Sequence, residues 1–145
     1  SGTLSVQKNL PLSSVCTVDL DLIVASGGTA TVTNAVVSGS GIGCNYINIT
    51  GAPYPVYHAG AGTNTDLYVA NVRVDIDPIP GVSGADACEG TLTVGLAADG
   101  THSDLVFSTP KSDVADAAPN GNAGTTTNPC LITGTLHASS AVAAS

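Results

Sequence analysis

A chain of 145 residues is long enough for one domain with a real core, and no change in composition divides it in two. Only Lys8, Arg73 and Lys111 are basic, against eleven acids; the formal net charge of −8 excludes nucleic acid and anionic membrane, which need clustered Lys and Arg. No apolar run approaches the roughly 20 residues that cross a bilayer as a helix, so no membrane span is expected.

Taken in chain order, apolar residues alternate with Thr, Ser, Asn and Asp, and Gly, Pro and Asn clusters interrupt the runs. That is strand punctuation. About nine strands are predicted: Thr3 to Lys8, Val15 to Val24, Thr29 to Ser38, Asn45 to Thr50, Pro55 to His58, Asp66 to Ile76, Gly90 to Leu96, Ser103 to Ser108 and Cys130 to His137. Ser26-Gly27-Gly28 and Ala98-Asp99-Gly100 read as hairpin turns, and Ser112 to Ala118 as at most one helical turn. The stretch from Pro110 to Pro129 is polar and of low complexity, a surface loop or an O-glycosylated tract. Many short strands with Gly-rich turns predict an all-β fold, an antiparallel β-sandwich or jelly roll, filled by Val, Leu, Ile and Ala because Trp and Met are absent. Residues 1–14 precede the first cysteine and read as an N-terminal arm; 15–145 form the single domain.

The start on Ser-Gly-Thr, with no Met anywhere, predicts a mature end left by signal-peptide removal, and so a secreted, extracellular or cell-surface protein. Cys16, Cys44, Cys88 and Cys130 contain no CxxC pair of the zinc or thioredoxin type and read as two structural disulfides. Three connectivities are possible. Cys16 with Cys44 and Cys88 with Cys130 is favoured because sequential strands are usually spatial neighbours.

In Val18-Asp-Leu-Asp-Leu-Ile-Val24, Asp19 and Asp21 share a strand face, roughly 6.6 Å apart by strand rise. Asp75 and Asp77 repeat the pattern in Val72 to Pro78. Two copies of apolar-in, acid-out alternation describe a solvated sheet face, with a calcium site from the four carboxylates as the weak alternative. If the two strands pair, Arg73 meets Asp19 or Asp21. His58, His102 and His137 lack HxH or HExxH spacing, and no nucleophile elbow or Cys–His pair is recognisable, so no metal, no cofactor and no catalytic residue is expected. Gly51-Ala-Pro-Tyr-Pro-Val-Tyr57 is a stiff segment whose Tyr54 and Tyr57 serve either the core or a ligand surface.

Cys16 in its strand, Gly28-Thr-Ala-Thr-Val32, Thr50-Gly-Ala-Pro-Tyr54, Asn71-Val-Arg-Val74, Cys88-Glu-Gly-Thr-Leu92 and the closing Pro129-Cys-Leu-Ile-Thr-Gly-Thr-Leu-His-Ala-Ser139 together resemble the bacterial protein activator of alkane oxidation (PraB-like) family. The resemblance implies export, two disulfides, and a role outside the cell in growth on hydrocarbon or in attachment and biofilm. It carries no catalytic site. Tyr54 stands where an aromatic of the Trp type is expected, and the polar loop before Cys130 is longer.

Two functions follow. In the first, Leu4, Val6, Leu10 and Leu12 make the arm an added strand for the open edge of a second copy, giving a self-assembling structural subunit at the cell exterior. In the second, the protein is a monomeric binding module for hydrocarbon or glycan surfaces, using Tyr54 and Tyr57.

Overall fold

The computed structural model describes residues 1–8, 13–24, 29–41, 43–60, 62, 65–81, 84–98, 102–117 and 129–139. Within them lie ten strands: β1 (Gly2–Gln7), β2 (Ser13–Val24), β3 (Ala30–Ser38), β4 (Ile47–Thr50), β5 (Tyr54–His58), β6 (Thr65–Ile76), β7 (Asp86–Ala98), β8 (Ser103–Phe107), β9 (Asp116–Ala117) and β10 (Leu131–His137). A 3-10 turn at Cys44–Tyr46 leads into β4. The alternation of small β-branched and polar residues thus specifies strands nearly where it predicts them. The predicted helical turn from Ser112 is instead extended: Val114 bridges Cys130, β9 pairs with β7, and the Ser112 hydroxyl donates to the Thr93 carbonyl at 2.6 Å. The hairpin tips at 26–28 and 99–100, and most of the polar tract, at 118–128, fall outside the described residues.

All pairings are antiparallel, and the sheet closes on itself. Around the ring the order is β1, β2, β3, β5, β6, β7, β8, β10 and back to β1, an eight-stranded up-and-down barrel. The expectation of a sandwich or jelly roll is corrected to a barrel. Alternation along each strand is the same in both architectures; what decides is that β6 hydrogen-bonds β7 and the first strand hydrogen-bonds the last. The two remaining strands lengthen one end: β4 and β5 share one edge of β6, and β9 and β8 share one edge of β7.

The change from β5 to β4 occurs at a bulge between Val69 and Val72, where Asn71 takes a left-handed φ of 59°. The bulge moves the inward parity, so that Leu67 and Val69 point inward above it and Val72, Val74 and Ile76 below it. Asn is among the few side chains that tolerate this conformation.

The segment expected to form an N-terminal arm contributes β1. β1 lies inside the barrel wall with both edges occupied, by β2 and β10, and Leu4 and Val6 are buried in the core. Leu10 and Leu12 lie outside the described residues. A narrow backbone approach fixes β1 beside Gly134, whose φ is +134° and where a Cβ would stand 2.6 Å from the Thr3 carbonyl oxygen.

The two disulfides are Cys16–Cys44 and Cys88–Cys130, the sequential pairing, and both lie toward the end of the barrel where β1 finishes. That lower end also holds Lys8, buried with its ammonium against Asp86 (3.3 Å) and Asp116. The outward positions of β1, β2 and β10 carry Thr3, Thr17, Asp19, Asp21 and Thr135 beside the exposed Val15 and Ile23, while the inward ones are apolar. No helix among the described residues is long and apolar enough to cross a membrane.

Candidate functional site

An eight-stranded barrel is just wide enough for its own side chains to fill, or to hold one small ligand. Here the filling falls short. With one Phe, four Tyr and no Trp or Met, the interior is left to Val, Leu and Ile, and among the described residues it contains three adjoining cavities that share lining side chains. They measure about 60, 70 and 50 Å³ as space open to the centre of a water molecule. One water needs roughly 10–15 Å³ on this measure and two or more polar partners. The first and third offer size without partners, since their walls are aliphatic apart from Phe107 and Tyr54. Such voids stay dry and take apolar guests.

Seven apolar side chains that pack on the core are only half-buried: Leu20, Leu22, Val37, Ile49, Val56, Leu92 and Leu105. All of them line one or more of these cavities. For Leu20 and Leu22 the exposure is a matter of register. β1 reaches only as far as Gly2, opposite Val18, so β2 from Asp19 to Val24 pairs with β3 on one side and has no ladder partner among the described residues on the other. The wall is therefore notched at the upper end. Leu20 and Leu22 form one side of the notch; Ser1, Ser103, Leu105, His137 and Ala138 line the same opening. Beside it Ser1 and His137 continue the β1–β10 ladder with backbone hydrogen bonds of 3.0 and 2.8 Å, and His137 Nδ1 lies 2.7 Å from Asp104.

Tyr54 and Tyr57 do not share a surface. They sit three residues apart on a strand, so Tyr54 points inward, 2% exposed, and Tyr57 outward, 60% exposed. Tyr54 lines the central cavity, and its hydroxyl donates to the Thr50 carbonyl. Burial pushes its phenol above the usual range, so the cavity wall carries no charge from it.

The four carboxylates do not meet. β2 and β6 are separated by β3 and β5, so Asp19 and Asp21 face solvent on one wall and Asp75 and Asp77 stand on another. Asn34 Nδ2 reaches Asp21 at 3.4 Å, Thr50 donates to Asp75 at 2.7 Å, and Asn48 donates to Asp77 at 3.0 Å. Arg73 accordingly binds Asp75 and Glu89, each at 2.9 Å, rather than Asp19 or Asp21. Burial would raise the Asp75 carboxyl, but Thr50 and Arg73 outweigh it and hold it below the usual carboxylate range. No cluster of three or more His, Cys, Asp or Glu fit to hold a metal is found among the described residues.

Sequence reasoning missed the leucines of the notch. The inward parity of Leu20 and Leu22 is legible in the strand pattern, but it reads as ordinary core. The available signal was the shortage of large side chains, which for a barrel leaves the interior underfilled.

A family model described as alkane oxidation protein activator PraA/PraB-like matches residues 1–145, and the chain belongs to this family. No curated protein and no solved structure matches the chain.

Proposed function

We propose, with that membership as the premise, that the protein is a secreted, non-catalytic binder of aliphatic hydrocarbon, which enters by the notch and lies along the barrel axis. The observation that carries this reading is the run of adjoining cavities walled mostly by C–H groups, whose half-buried leucines no other side chain among the described residues covers. Burying a methylene of ligand against such a wall stabilises the complex by about 0.8 kcal/mol, so a medium-length chain supplies enough free energy for micromolar affinity after the cost of association. The family's description concerns alkane oxidation, and a protein that holds hydrocarbon is one way to assist it. Secretion accords with two disulfides, which persist in oxidising compartments. A binder rather than a catalyst accords with the cavity's chemistry, because the phenol of Tyr54 is its ionisable wall group away from the notch, and that hydroxyl is engaged by Thr50.

The test is displacement of a neutral apolar dye, N-phenyl-1-naphthylamine, by dodecane, in the wild type and in Leu22→Trp. Dodecane should displace the dye from the wild type, and the indole, by filling the notch, should weaken that by at least about tenfold while the fold is retained. Dye that never binds, or binds the two proteins alike, would sink the reading.

A second reading, self-assembly at the cell exterior, is favoured by the placement of β1. It is the first strand of the chain, held in the wall by its two neighbours, by Leu4 and Val6, and by the seat of Lys8. Withdrawn, it leaves a slot one strand wide that an identical strand of another copy fits, a domain-swapped route to a filament. A chain beginning at Ser13 should then take up a synthetic peptide of residues 1–8, and the full chain at high concentration should yield linear polymers in negative-stain images. Uniform monomers that take up no peptide would end this reading.

A further inference from the structure

We infer that the cavity selects uncharged chains, holding an alkane or a primary alcohol and rejecting the fatty carboxylate of the same length. This rests on the hydrocarbon-binding reading and sharpens it. A carboxylate drawn into an apolar wall loses its hydration, a cost that only a cation or several donors can offset. Proteins that hold fatty acids in a barrel interior therefore need a cation within reach of it.

None of the three Lys and Arg side chains lines any of these three cavities, and each is already committed to carboxylates. Lys8 is enclosed at the lower end between Asp86 and Asp116; Arg73 lies on the outer face between Asp75 and Glu89; Lys111 is 2.6 Å from Asp66. Among the described residues, the charged or titratable groups that line the notch or adjoin its lining are the Ser1 ammonium, which donates to the His137 carbonyl, His137 beside Asp104, His102, Asp66 with Lys111, and the outward Asp19 and Asp21 of the strand that borders it. Among the described residues carboxylates are no fewer than cations there, and with the net charge of −8 the approach of an anion is opposed before it reaches the wall. A hydroxyl or an ester at the chain end meets no such opposition. The consequence is directional: a chain whose end has been fully oxidised to the acid does not compete with the unoxidised hydrocarbon for the cavity.

The experiment uses the full chain and the same neutral dye, displaced at about pH 8, where carboxylic acids are ionised. The competitors are 1-dodecanol, methyl dodecanoate and dodecanoate below its micellar concentration. The alcohol and the ester should displace at concentrations at least about 30-fold lower than the carboxylate, an unpaired charge being the group most costly to bury. The ester controls for the bulk of the carboxyl group. Dodecanoate that competes within about threefold of its ester, a difference too small for an unpaired buried charge, overturns the inference and leaves the binding reading intact. Failure of alcohol and ester as well as carboxylate overturns the binding reading, and the inference with it.

Discussion

The two ends of the barrel solve opposite problems with the same strand pattern. At the lower end both disulfides, the buried Lys8 between two aspartates, and the added strands β4 and β9 tie the wall together. At the upper end no covalent bridge occurs among the described residues, β1 stops short of the length of β2, and leucines that would be core elsewhere remain half-exposed. The lesson is that rigidity and access are separated along one axis. Local opening is expected from the end with fewer buried contacts and unpaired ladder edges, which is where a guest would enter.

The largest effect should come from breaking the lower end. Replacing both cysteine pairs by serine is expected to cost about 4 kcal/mol per bridge on the chain-entropy model, measured as the fall in denaturant midpoint. Lys8→Ala leaves Asp86 and Asp116 facing each other without their ammonium, and should cost about 3–5 kcal/mol in the same measurement. Gly134→Ala forces a Cβ against the Thr3 carbonyl at a backbone angle that disfavours it; about 1–3 kcal/mol should be lost, with protection of the β1 amides falling most in hydrogen exchange. At the upper end the response should be muted. Leu105→Ala removes a side chain that already borders a void and should cost only about 1 kcal/mol, less than the same truncation in a close-packed core, while weakening dodecane binding.

The smallest effect concerns acid. Because Asp75 has its carboxyl depressed in the folded state, its contribution is present above the ordinary carboxylate value and disappears as the pH falls below about 4. Asp75→Asn should therefore lower stability near neutrality by at most a few tenths of a kcal/mol, as expected for a partly exposed pair, and should leave stability in strong acid almost unchanged.

The strand pattern made much of this molecule legible. Period-two alternation identifies nearly every wall strand, and the acid-out face of Val18 to Val24 is solvated as its parity requires. Closure was not legible, because a barrel and a sandwich share that alternation and differ only in which edges meet. The same gap explains β1, whose short apolar alternation suits an added strand and an internal one equally. Tyr54 and Tyr57 flank Pro55 in one short segment, but strand parity sends residues three apart to opposite faces, so one is core and the other surface. The site stayed hidden for a further reason: a cavity is a deficit of volume, and no single residue announces one.

The union of β1 with β10 also bears on how the chain reaches this shape. Every other contact around the ring joins strands that succeed one another along the chain, β4 and β9 aside, so each forms by closing a modest loop. Only this one brings together groups as far apart as Ser1 and His137, 136 positions in sequence. Loop-closure entropy makes such a contact the slowest to nucleate. The barrel is thus a meander that zips from its hairpins and is sealed at the end by its first strand; until that seal forms, β2 and β10 present bare edges to whatever strand is nearest.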